Sequence, residues 1–115
     1  AQDAPKKPSP FDSWPELKTF HGVMSQTFHP SEEGNLEPIK TRATEMREKA
    51  AALADSKIPA DLDNEKVRAA VNKLKDNTVV MEKMVKDKKS DKEITEYLVV
   101  LHDTFHEIVG LCRHE

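Results

Sequence analysis

The stretch LEPIKTRATEMREKAAAL, residues 36–53, decides the fold. Leu36, Ile39, Ala43, Met46, Ala50 and Leu53 recur at alternating spacings of three and four. That is the period of an amphipathic helix with one apolar stripe turned to a core. Lys40, Arg42, Glu45, Arg47, Glu48 and Lys49 fill the positions between and make the solvated face. The same period continues on both sides. Towards the N-terminus, Leu17, Phe20, His21, Met24 and Phe28 mark a first helix. Ser13 and Glu16 open it as a capping box, with Pro15 in the first turn, where a missing N–H costs little. Pro30 is expected to end it, because proline disfavours helical backbone in the residue before it. Gly34 and Asn35 make the turn. Towards the C-terminus, Ile58 and Pro59 close the second helix, and Asp61 or Asp63 caps a third. Its stripe is Val67, Ala70, Val71, Leu74, Thr78, Met81 and Val85, and residues 86–89 bring lysine charge to the C-terminal end of its dipole. Ser90 and Glu93 form a second capping box, and the fourth helix carries Ile94, Leu98, Leu101, Phe105, Ile108 and Cys112.

No alternating strand pattern competes. Four such helices joined by short turns predict an all-α fold, an antiparallel up-down-up-down four-helix bundle over residues 13–115. Residues 1–12 hold three prolines and two lysines among small polar residues and read as a flexible tether. A chain beginning Ala1-Gln2-Asp3-Ala4-Pro5 suits one from which a leader has been removed, or an arbitrary boundary.

The 115 residues make one domain. With 37% hydrophobic and 34% charged residues the chain suits water and carries one modest core. The longest apolar runs, residues 50–54 and 97–101, are far too short for membrane insertion. A net charge of -3 without a basic stripe gives no footprint for nucleic acid. Cys112 is the sole cysteine, which excludes an internal disulfide and a cysteine-based zinc cage.

The five histidines carry the chemical information. His102 and His106 stand four apart on the fourth helix, one above the other, in the H-x-x-x-H spacing that chelates a divalent transition metal. The first and last helices are neighbours in an up-down bundle, so His21 is expected to reach across as a third nitrogen. Glu45 on the second helix is the expected oxygen ligand. A polar layer of His21, Glu45, Thr78, His102 and His106 would also give Thr78 the partner that a hydroxyl in an apolar stripe needs. The plainer alternatives are a half-exposed His102 and His106 held by Asp103 and Glu107, and a Glu45 paired with Arg42 or Lys49. His29, followed by Pro30, Glu32 and Glu33, reads as a helix-end histidine beside the dipole, with a second surface site as the alternative. A further histidine lies eight residues after His21, at His29, and eight after His106, at His114. Phe20-His21 and Phe105-His106 form a weak internal echo. Met24, Met46, Met81 and Met84 sit where methionine commonly fills a core, Met24 being the one nearest a histidine. Trp14 is expected to seal one end.

In helix count, helix length and ligand placement, residues 13–115 resemble the cytochrome-type antiparallel four-helix bundles, the soluble periplasmic group with b-type and c-prime members. In the b-type members a methionine on helix one and a histidine on helix four hold the haem iron. The resemblance therefore implies Met24 with His102 or His106 as haem ligands here. The c-prime attachment motif C-x-x-C-H is missing, because the chain reads Gly110-Leu111-Cys112-Arg113-His114, so covalent haem is not expected. The string His21-Gly22-Val23-Met24-Ser25-Gln26-Thr27-Phe28-His29-Pro30 also resembles a stretch of bacterial secreted bundle proteins, which implies a periplasmic or secreted setting. No E-x-x-H pair of the ferritin-like type is present.

The leading expectation is a non-enzymatic protein binding zinc, copper or nickel through His21, His102, His106 and Glu45. The alternatives are non-covalent haem b for electron transfer, through Met24, His102 and His106, and a ligand-free module that binds a protein partner. No nucleophile beside a base and no phosphate loop points to an enzyme.

Overall fold

A computed structural model describes residues 14–113, and these form four helices with no strand among them. They are α1 (Pro15–Glu32), α2 (Glu37–Asp55), α3 (Glu65–Lys86) and α4 (Asp91–Arg113). Consecutive helices pack side by side in an antiparallel up-down-up-down bundle, and α1 meets α4 along the thinnest of the four seams. The body measures 47 × 32 × 18 Å, flattened across the bundle. No described helix is long and apolar enough to cross a membrane.

The stripes read from the sequence are the core. Ile39, Ala43, Met46, Ala50 and Leu53 of α2 are buried against Leu17, Phe20, Met24 and Phe28 of α1 and against the stripes of α3 and α4. Met24, Met46 and Met81 are buried as filler. Trp14 closes one end. Its ring is fully buried, and its indole N–H donates to Ser56 Oγ at 2.8 Å, joining the start of α1 to the end of α2.

Three helix ends differ from expectation. Pro30 lies inside α1, which runs on to Glu32. The preference against helix before proline is outweighed by burying Phe28 and Ser31 on either side of it. The stop comes at Gly34, whose φ of 85° lets Asn35 N–H return to Pro30 O at 2.9 Å. The cap of α3 is Asn64, whose Oδ1 accepts from Val67 N at 2.9 Å, and not Asp61 or Asp63. Asp63 is engaged instead by Arg68, at 2.7 and 2.8 Å. At the start of α1 the cap position is Trp14, without a side-chain bond. Ser13, the tether of residues 1–12 and His114 lie outside the described residues. The box at α4 forms as read: Glu93 N donates to Ser90 Oγ at 3.1 Å, and Ser90 N to Glu93 Oε1 at 3.2 Å.

Between α2 and α3, Glu82 accepts from Thr44 Oγ1 at 2.7 Å and lies 2.9 Å from Arg47 Nε. The Thr44 hydroxyl and then the Arg47 guanidinium hold its carboxyl below the usual range, against the effect of burial. A carboxylate depressed on folding stabilises above its unfolded pKa and loses that contribution as pH falls through the folded value. Glu82→Gln is therefore expected to lower stability at neutral pH and to flatten the fall in stability below about pH 4.5. Urea midpoints of both proteins at several acid pH values measure it, and parallel pH curves would contradict it.

Candidate metal groove

The α1–α4 seam opens into a groove of about 190 Å³. From α1 it is lined by His21, Met24, Ser25, Phe28 and His29, and from α4 by His102, Phe105, His106 and Val109. The helical period explains the first set, since steps of three and four residues from His21 stay on one flank of α1. Four of the five histidines in the chain thus face one opening.

His102 and His106 form its centre. Their Nε2 atoms are 3.1 Å apart, with ring centroids at 4.3 Å and 66° between planes. At this distance one ring donates an N–H to the other's lone pair, the donor being set by the tautomer. Two imidazoles on one ion, with metal–nitrogen bonds of about 2.0–2.1 Å, bring their nitrogens to about 2.9–3.4 Å of each other, so the spacing is also that of a chelate. His102 is held flat on Phe28, with centroids 3.8 Å apart and planes within 6°. Burial, and then the charge of His106, push the His102 pKa below the usual histidine value, while Asp103 and Glu32 pull the other way. A depressed pKa keeps the ring neutral and its lone pair available at neutral pH.

His21 stacks on Phe105, at 5.6 Å and 25°, and Phe105 packs in turn on Phe20 at 5.6 Å. His21 is exposed on the groove wall. His29 is exposed too, with Nδ1 3.3 Å from Glu32 Oε1. The buried Met24 lines the groove. Among the described residues, no three or more His, Cys, Asp or Glu side chains stand close enough together to hold a metal ion as they are oriented.

Glu45 does not line this groove. Arg42 grips it through Nε at 2.8 Å and Nη2 at 3.3 Å, and also donates from Nη1 to Gln26 Oε1 at 2.5 Å on α1. The Arg42 hydrogen bond holds the Glu45 carboxyl below the usual range. Of the two readings of Glu45 from the sequence, the ion pair with Arg42 is the arrangement present. The single polar layer is not formed. Thr78 Oγ1 donates to Lys75 O of its own helix at 2.6 Å, and Asn77 turns to Tyr97 and Thr104 on α4. A threonine in a helix can satisfy its hydroxyl one turn back, so its burial does not require a distant partner. The groove residue that the sequence reading undervalued is His29. Its signal was there, two helical turns from His21.

No protein-family model matches the chain, and neither a curated protein nor a solved structure matches it. The fold and the groove define a class, a four-helix bundle with imidazoles gathered on one helix seam. The likeness to cytochrome-type bundles reaches no further than the four-helix architecture.

Proposed function

We propose that the chain is a non-enzymatic transition-metal-binding bundle whose chelating core is the His102–His106 pair. The observation that carries this reading is the 3.1 Å approach of the two Nε2 atoms at the mouth of a groove where His21 and His29 also stand. Rotation about side-chain bonds would turn either of those exposed rings to the ion, and Met24 offers a thioether within the groove. Glu45 would join only by giving up Arg42. Two firm protein ligands leave coordination positions to water or to a donor from another molecule. That suits an ion handed on rather than locked in. Copper, nickel and zinc match imidazole donors, and a thioether would add preference for copper. A bacterial periplasmic or secreted setting is part of the proposal and rests on the resemblance alone.

Met24 and both helix-four histidines line one groove, as the haem reading requires. The volume favours an ion: about 190 Å³ is below the roughly 300–1,000 Å³ of pockets for drug-sized molecules, and haem is larger still.

Calorimetric titration of tag-free chain with copper(II), nickel(II) and zinc(II) tests the reading. One ion per chain is expected for at least one metal. Binding should weaken at acid pH, because protons compete for the same nitrogens, and the lowered His102 pKa puts that loss below the ordinary histidine range. A chain that gives no heat and no change in melting temperature with all three metals would overturn it.

A further inference from the structure

Among the described residues that line the α1–α4 groove there is no aspartate, glutamate, lysine or arginine. Its donors are the imidazoles, the Met24 thioether and the Ser25 hydroxyl. Phe28, Phe105 and Val109 are buried and make the rest of the wall apolar. The carboxylate that the sequence offered, Glu45, is held by Arg42 away from this seam. Asp103 and Glu32 act on His102 from outside the lining, and both are exposed, so their charge is screened by water and salt. Glu32 is also engaged by His29, at 3.3 Å.

An ion entering this groove therefore meets no opposite charge among the side chains that touch it. Taking a charge out of water costs more the larger the charge, so a doubly charged ion is penalised well beyond a singly charged one. The donors point the same way. Thioether sulfur is soft and selects copper(I), and imidazole serves copper as well. Met24 lies three residues from His21 and four from Phe28, on the flank of α1 that carries the ring stacked on His102. Its side chain is unbranched, so the sulfur can turn toward an ion without moving the helix.

We propose that the groove takes copper as the monovalent ion, held by His102, His106 and the Met24 sulfur. This rests on the metal-binding reading above and adds to it the charge of the ion and the third ligand. Divalent copper, nickel and zinc are held by the imidazole pair and water, less tightly.

The test is an anaerobic titration of the Cys112→Ser chain with copper(I) under ascorbate, in competition with a chromophoric copper(I) chelator. The cysteine is replaced because a thiol is itself a soft donor and Cys112 lies outside the groove lining. One copper(I) per chain is expected, bound about a hundredfold or more tighter than copper(II). For one electron that ratio raises the reduction potential of bound copper by about 120 mV over that of the free ion, which voltammetry reads independently. Met24→Leu is close in volume and should fold as the parent does. It should weaken copper(I) roughly tenfold or more and change copper(II), nickel(II) and zinc(II) by less than about threefold. Copper(II) bound as tightly as copper(I), or a Met24→Leu chain with unchanged copper(I) affinity, would overturn the proposal and leave the metal-binding reading standing. A chain that binds none of the four ions would overturn both.

Discussion

The His102→Ala/His106→Ala double variant is expected to show no metal-induced rise in melting temperature. The parent, at about a hundredfold excess of free metal over Kd, should gain about 2.7 kcal/mol. For a domain of this size that is a rise of roughly 10 °C. The expectation follows from the geometry of the pair, whose Nε2 atoms already stand at chelating distance. Removing His102 also removes the ring stacked on Phe28, so the double variant should melt lower without metal as well. His102→Phe separates the two effects, because it keeps a ring on Phe28 and deletes the nitrogens. It should hold the metal-free Tm near that of the parent and still lose most of the metal response. Glu45→Gln should leave the response unchanged, since Arg42 already occupies that carboxylate. Differential scanning calorimetry with and without metal reads all four proteins. A double variant that responds like its parent would remove His102 and His106 from the site.

Trp14→Ala should cost about 3–5 kcal/mol, the range for a large aromatic side chain cut from a core. Trp14 is fully buried, and its N–H is satisfied by Ser56 at the far end of α2. Its loss opens the end of the bundle and unties α1 from α2. Domains of this size have about 5–15 kcal/mol of stability in all, so the variant should approach the edge of folding. Trp14→Phe keeps most of the apolar area and should lose much less, of which the hydrogen bond accounts for about 1 kcal/mol. Urea unfolding must be followed by circular dichroism, because Trp14 is the only tryptophan in the chain. A loss under about 1 kcal/mol in Trp14→Ala would show that the indole is not a closing element.

The groove was only half legible. His102 and His106 were readable because both ligands of the pair lie on one helix, where a four-residue step brings side chains together whatever else the fold does. His21 and His29 were readable as neighbours on α1. Their distance from α4 was not, because it depends on how far two helices from opposite ends of the chain stand apart. Glu45 shows the limit from the other side. Its position on α2 followed from the period, but its partner was chosen by proximity, and Arg42 lies three residues away on the same helix.

From residues alone, the chain determined its four helices, their buried stripes, the capping box of α4 and the sealing role of Trp14. These depend on local periodicity and on which side chains leave water. Tertiary structure alone decided that α1 continues through Pro30 and that the α1–α4 seam stays open enough for a groove. Each of those outcomes balances a local preference against packing by residues far away in sequence. The balance exists only once the helices are side by side.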